Sequence, residues 1–310
     1  MEQKLSRRQT VKLLGYAGLG TLLPAPVHAF TNQKANMLTR PIPSSNEQLP
    51  VVGLGSWIQF DVGSGAPERE PLQEVLQQML NKGGKLIDSS PMYGRSEEVI
   101  GDLTAASGKA NQFFYATKVW TSGEQQGIQQ MQQSMQRMKR KTMDLMQVHN
   151  LVDWKTHLNT MKKWKAEGRL RYTGITHYTV SAHAQLEEIV RSKAVDFVQF
   201  NYSMRVRNAE KSLLKACMNS GVAVIINEPF EKGDLFRLTK GKTLPAWAAE
   251  YDIKSWAQFF LKYIISHPAV NCAIPGTSNP KHAADNMMAG YGKLPDEKGR
   301  KKMVEFIESV

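Results

Sequence analysis

Along this chain, short apolar runs alternate with longer stretches in which apolar residues recur at helical spacing. The runs near 51–56, 85–89, 113–118, 144–148, 172–176, 196–201, 222–227 and 271–275 have the length and the Val, Ile and aromatic content of β-strands. Some, such as VAVII at 222–226, are apolar without alternation, the pattern of strands covered on both faces. Between them, helical periodicity fills 71–82, 96–106, 124–139, 155–167, 180–192, 209–220 and 244–266, and a last helix begins near 280. Eight strands alternating with eight helices predict an α/β architecture, one parallel (β/α)8 TIM barrel over 50–310, in preference to an open sheet.

The ends depart from this pattern. Residues 30–49 carry Asn, Gln, Pro and Ser and read as a flexible linker. Ahead of them, SRRQTVK (6–12) resembles a twin-arginine export motif, a modest apolar stretch runs from Leu13 to Leu23, and Val27-His28-Ala29 offers a small-residue cleavage site. Residues 1–29 are therefore expected to engage an export machinery and deliver a folded protein to the periplasm or another extracytoplasmic space. The apolar stretch is shorter than the roughly 20 residues that span a bilayer, and no cysteine follows it for lipid attachment, so no stable membrane anchor is expected. Segment 229–243 is the longest irregular stretch of the barrel and is expected to fold over a cofactor. A short amphipathic tail, KKMVEFIESV, leaves little material for a large C-terminal loop.

Composition changes this picture little. The chain is 41% hydrophobic and 22% charged, ordinary for a soluble globular protein. Its formal charge is +12, of which Lys4, Arg7, Arg8 and Lys12 against Glu2 supply +3 and leave +9 on the remainder. The densest basic run, MQRMKRK (135–141), closes a predicted helix, where cations suit the macrodipole. It has no interleaved aromatic residues for bases to stack on, so nucleic acid is not an expected partner. Cys217 and Cys272 lack a CxxC or other metal-ligand cluster and read as buried free thiols, with a disulfide as the alternative in an exported protein.

Four polar residues stand at or just past predicted strand ends: Asp88 and Tyr93 in LIDSSPMYG, Lys118 in FFYATKVW and His149 in MDLMQVHN. In a barrel those ends form the catalytic rim. An acid, a phenol, an ammonium and an imidazole gathered there make a proton-delivery device, which points to hydride transfer to a carbonyl. The oxygen gains charge as the hydride arrives, so an aimed donor stabilises the transition state. Tyr93 is the expected general acid, with Lys118 lowering its pKa, Asp88 pairing with Lys118, and His149 binding the carbonyl oxygen. Trp57, Trp120 and Met92 are expected to wall an apolar pocket for a small-molecule carbonyl substrate.

The ordered set of motifs, with GGKLIDSSPMYGRSEEVIGDLT the most specific block, resembles the aldo-keto reductase family from LPVVGLGSW to IPGTSNPKHAADN. The resemblance implies a nicotinamide cofactor, NADP with NAD as the alternative, and a monomer. No GxGxxG opens a helix, so a Rossmann site is not expected; IPGTSNPKHAADN suits a barrel phosphate site, with Asn279 capping the last helix ahead of Pro280. By resemblance, Gly55 and Ser56 line the cofactor site, Gln199 meets the nicotinamide carboxamide, and Asp285 and Asn286 meet the adenine. Thr277, Ser278 and Asn279 would then approach the 2′-phosphate. The chain departs from the family at Thr176-His177, where many members have Ser-Asn, and at Asn227, where many have a stacking Tyr that Phe230, after Pro229, would partly replace. It departs again at Gly276 and His282, where many have Lys and Arg on the 2′-phosphate. Two other readings are a redox-neutral epimerase or dismutase with tightly bound NADP, suggested by export, and a non-catalytic nucleotide sensor.

Overall fold

The protein's structure, a computed structural model, describes residues 36–310. The twin-arginine-type segment and its cleavage site lie outside the described residues. Eight parallel strands form the barrel: β3 (Leu54–Gly55), β4 (Leu86–Asp88), β5 (Phe114–Val119), β6 (Met143–His149), β7 (Leu170–Thr176), β8 (Phe197–Asn201), β9 (Ala223–Asn227) and β10 (Val270–Ala273). Each pairs with the next in sequence. The circle closes where Val52 and Gly55 meet Ala273 and Gly276, with the Gly53 and Gly55 amides donating to the Ala273 and Pro275 carbonyls at 2.9 and 3.2 Å. Gly55 and Gly276 are needed for this closure. A Cβ on Gly55 would stand 2.9 Å from the Ile274 carbonyl oxygen, and one on Gly276 would stand 3.1 Å from that of Gly55.

The expected flexible linker is corrected over its described part. β1 (Thr39–Pro41) and β2 (Gln48–Pro50) pair antiparallel and plug the barrel at the N-terminal ends of the strands. Ile42 and Leu49 enter the interior cluster with Leu86, Phe114, Tyr172 and Phe197. The Arg40 guanidinium donates to the carbonyls of Ile265, His267 and Val270 and ties the hairpin to the last barrel unit. Two apolar side chains in a polar, Pro-rich stretch suffice because the barrel mouth they cover would otherwise expose aromatic rings to water.

The helices pack outside: α1 (Ala66–Asn81), α2 (Ser96–Ala106), α3 (Glu124–Arg137), α4 (Trp154–Ala166), α5 (His183–Arg191), α6 (Leu213–Ser220), α7 (Asp234–Leu238), α8 (Trp256–Ile265), α9 (Pro280–Met288) and α10 (Glu297–Glu308). The single helix predicted over 244–266 is broken. A 3-10 turn at Ala246–Tyr251 ends on Asp252 at φ 56°, and α8 restarts with the Ser255 side chain accepting from the Gln258 amide, an S-x-x-Q cap. Segment 229–243 is likewise not wholly irregular, since it contains α7. Cys217 and Cys272 are buried and unpaired.

Candidate active site

Within the barrel, inward positions change character along the strands. Leu86 is followed by Asp88, Ala116 by Lys118, Leu145 by Gln147 and His149, Phe197 by Gln199, and Ile225 by Asn227. Because side chains repeat every second residue, each polar group stands one pleat above an apolar one on the same face. The strand register sets Lys118 beside Gln147, His149 beside Thr176, and Thr176 beside Gln199. A polar layer therefore caps the apolar interior at the C-terminal rim.

The layer is organised around Asp88. Lys118 Nζ donates to Asp88 Oδ2 at 2.5 Å and to the Ser89 carbonyl at 2.6 Å. Gln147 Nε2 and Gln199 Nε2 donate to Asp88 Oδ1 at 3.0 and 2.9 Å. Lys118 is fully buried, so its charge needs this partner. Burial alone would lower the Lys118 pKa, but Asp88 and Tyr93 raise it overall.

Tyr93 arrives from the loop after β4. Its amide closes a turn on the Ser90 carbonyl at 3.0 Å, and Gly94 at φ 57° lets the chain turn away beside Asp61. Lys118 Nζ lies 4.9 Å from the centre of the Tyr93 ring, and the His149 ring meets that ring edge-on at 5.9 Å. Burial raises the Tyr93 pKa from its ordinary 10, and Lys118 pulls it down by less. Lys118 thus acts in the expected direction, but burial outweighs it and the net shift is upward, so the phenol keeps its proton at neutral pH. Burial, then Lys118, then His177 push His149 down to about 2, so its imidazole is neutral. Ser90 Oγ lies 3.0 Å from His149 Nδ1. With Ser90 donating there, His149 Nε2 carries the hydrogen and can donate to a carbonyl oxygen. All four predicted catalytic residues are thus brought together.

Sequence reasoning missed Ser90, Gln147 and Tyr178. Gln147 was legible as an inward polar residue one pleat below His149, a signal hidden within an apolar run. At the rim, Trp57, Met92 and Trp120 are exposed, and Tyr178 joins them. Lys232, in the loop after β9, places Nζ 5.9 Å from the Trp57 ring and 5.5 Å from the Tyr178 ring. Those rings follow β3 and β7, on opposite sides of the barrel, so this loop reaches over the mouth.

The predicted cofactor residues divide. Ser56 is buried and donates to Ser89 Oγ at 3.0 Å, so it faces the interior. The Gln199 amide is engaged: Nε2 serves Asp88, while Oε1 accepts from Thr176 Oγ1 at 3.2 Å and Asn227 Nδ2 at 3.3 Å. Phe230 is partly buried and packs edge-on against Phe236 and Phe260, at 4.8 and 6.3 Å between ring centres. Pro229 beside it is buried. Asp285 accepts from Ser255 Oγ and Gln258 Nε2, both at 2.6 Å, and thereby joins α9 to the N-cap and first turn of α8. His177 is partly buried, stacks on Tyr178, and accepts from the Thr179 amide at Nδ1. Asn279 caps α9 by accepting from the Lys281 amide at 2.9 Å, and Thr277 Oγ1 accepts from the Asn279 amide. Ser278, Lys281 and His282 are exposed around that helix start, and Asn286 is buried one turn further on.

One polar atom fits a nicotinamide ring. Asn227 Oδ1 is buried without a hydrogen-bond partner at the C-terminal end of β9. A lone acceptor there suits the amide N–H of a carboxamide. Together with the capped, cation-flanked start of α9, it gives a dinucleotide an acceptor at one end and an anion site at the other.

The aldo/keto reductase family pattern matches residues 51–301, and the chain belongs to that family. Among individual proteins, it is similar to the methylglyoxal reductase YeaE of Escherichia coli, with 27% identity over 251 residues covering 78% of this chain and 86% of that protein. In structure it is similar to a Klebsiella pneumoniae aldo-keto reductase in complex with NADPH, with a TM-score of 0.74 at 22% identity over 87% of this chain and 96% of the other. It is similar too to a Klebsiella pneumoniae aldo/keto reductase in complex with NADP and acetate, with a TM-score of 0.72 at 22% identity over 84% and 93%.

Proposed function

We propose that this protein reduces an aldehyde or ketone with NADPH, that Tyr93 donates the proton, and that it works as a monomer outside the cytoplasm. The observation that carries the chemistry is the buried Lys118–Asp88 pair set beneath Tyr93 and beside a neutral His149. A bound nicotinamide supplies the hydride. His149 Nε2 orients the carbonyl oxygen by donating to it, and Tyr93 protonates that oxygen as charge develops. The phenolate left behind faces the Lys118 ammonium, which Asp88 holds in place.

Asn227 and Thr176 would hold the carboxamide end of the cofactor, and the first turn of α9, with Lys281 and His282, the phosphate end. The neighbouring structures that contain NADP or NADPH support the phosphorylated form. The exposed Trp57, Met92, Trp120 and Tyr178 support a carbonyl carrying an apolar group. Residues 1–29 support the location through the paired arginines and the cleavage site. Mass spectrometry of nucleotide co-purified with the mature protein, followed by titration with NADPH and NADH, tests the cofactor. Tighter binding of NADH overturns the NADP assignment. A folded fluorescent reporter behind residues 1–35 tests export: it should leave the cytoplasm, and should stay there once Arg7 and Arg8 are both changed to Lys.

A further inference from the structure

We propose that Gln147 is a positioning residue for the proton donor: it fixes the Asp88 carboxylate from below, so that Lys118 is held under Tyr93. The inference rests on the reductase chemistry above and names a residue outside the four that carry it.

Three observations converge on Gln147. It is fully buried, and it leans across the barrel interior to reach two partners on strands that do not neighbour its own. From β6, its Nε2 donates to Asp88 Oδ1 on β4 at 3.0 Å, and its Oε1 accepts from Gln199 Nε2 on β8 at 3.3 Å. Between β6 and β8 runs β7, whose residue in register with Gln147 is Gly174. A Cβ at Gly174 would stand 3.1 Å from Gln147 Cγ and 3.1 Å from the Phe197 carbonyl oxygen, so a side chain there would crowd the glutamine from the β7 side. The missing side chain on β7 leaves uncrowded the path by which one amide links β4, β6 and β8.

Asp88 thereby has a defined division of labour. Oδ2 faces the Lys118 ammonium, and Oδ1 accepts from two amides. Donors on both oxygens fix the plane of a carboxylate, and Gln147 acts on Oδ1 twice: it donates there itself, and its Oε1 holds the Gln199 Nε2 that is the second donor. Because Lys118 Nζ is held by Asp88 Oδ2 and the Ser89 carbonyl, a rotation of Asp88 moves the ammonium relative to the phenol. Of the two amides on Oδ1, Gln199 is the one hydrogen-bonded to Thr176 and Asn227 of the cofactor wall.

The test uses the full mature protein with saturating cofactor and one carbonyl substrate that the wild type reduces. Gln147→Met keeps the length and removes the donor, so kcat should fall by up to about 10²-fold, the scale on which misplacement of a catalytic group is felt. KM and the cofactor Kd, read by direct titration, should stay within about twofold, since the cofactor wall is served by Gln199. Gln147→Glu is the sharper variant, because an introduced carboxyl can donate to Asp88 only while it holds a proton. The titratable groups of the surrounding layer are Asp88 from β4, Lys118 from β5, His149 on β6 itself and Tyr93 from the loop after β4, with Cys272 of β10 in the apolar interior below; Gly174 of β7 and Gln199 of β8, which also meet Gln147, do not titrate. Burial and the Asp88 carboxylate keep the introduced proton bound above the ordinary value of about 4.3, against the pull of Lys118. Activity of Gln147→Glu should therefore be near that of the wild type at low pH and fall as pH rises through roughly 5–8, where the wild type stays flat. A purely space-filling role predicts losses by a constant factor at every pH in both variants, and that result overturns the proposal. So does an unchanged kcat in Gln147→Met, or a loss that appears in cofactor Kd alone. Should Gln147→Met fail to fold, the pH profile of Gln147→Glu decides by itself. Absence of turnover in the wild type with every carbonyl tried would count against the reductase chemistry and is thereby separable from a failure of the Gln147 assignment.

Discussion

The two ends of the barrel interior are built from the same strands and do opposite things. At the N-terminal end, Leu86, Phe114, Tyr172 and Phe197 are sealed by Ile42 and Leu49 of the β1–β2 hairpin. At the C-terminal end, one or two pleats up, Asp88, Lys118, Gln147 and Gln199 form a closed hydrogen-bonded layer under an open, aromatic-rimmed mouth. The difference teaches that stability and chemistry are divided by position along each strand. The lower end buries apolar surface and asks nothing of solvent. The upper end holds an ion pair whose desolvation is offset only because every charge has a partner.

Substitutions at the two ends should therefore separate activity from stability. The largest effect is expected from Tyr93→Phe, which removes the proton donor and keeps the ring: kcat should drop by about 10²–10⁴-fold with cofactor binding and melting temperature unchanged. Lys118→Met leaves Asp88 buried beside an apolar side chain, and chemical denaturation should show a loss of about 3–5 kcal/mol together with the loss of activity. Ile42→Ala at the opposite end should cost about 2–5 kcal/mol of stability and leave kcat at its wild-type value. A change in kcat there would break the proposed division. The neutral imidazole gives a pH effect of known sign. Burial holds the His149 pKa down to about 2 in the folded protein, against an ordinary value of 6.5 once the chain unfolds. Below pH 6.5 the unfolded chain takes up a proton that the native state does not, so stability falls on acidification by up to about 1.4 kcal/mol per pH unit. That slope should be reduced in His149→Gln. The smallest effect is expected at the exposed start of α9: His282→Ala should weaken NADPH binding by no more than about fivefold and leave NADH binding unchanged.

Much of this was legible in the sequence. The strands announced themselves because barrel strands are buried on both faces and read as apolar runs, and Asp88, Tyr93, Lys118 and His149 stood at their ends. The helix predicted over 244–266 failed where an S-x-x-Q cap at Ser255 interrupts an apolar stretch whose periodicity continues across the break. The β1–β2 hairpin was hidden because its stability comes from two residues buried against distant strands, with no local pattern to signal it. The cofactor side was the least legible. Asp285, Ser56, Gln199 and Phe230 are engaged within the protein, and only packing reveals which polar groups are already satisfied. Gln147 escaped notice for a related reason: its path is left uncrowded by an absent side chain at Gly174, one strand away.

The central claim is that this rim transfers hydride from a nicotinamide to a carbonyl carbon while Tyr93 protonates the oxygen. The most direct measurement is isotopic. The mature protein is incubated with NADPH carrying deuterium at both C4 positions and with a panel of aryl and alkyl aldehydes and ketones, and the products are read by mass spectrometry. The account predicts an alcohol bearing one deuterium on the former carbonyl carbon, formed by the wild type and not by Tyr93→Phe. No alcohol from any carbonyl, an alcohol without deuterium, or equal labelling by Tyr93→Phe would contradict it.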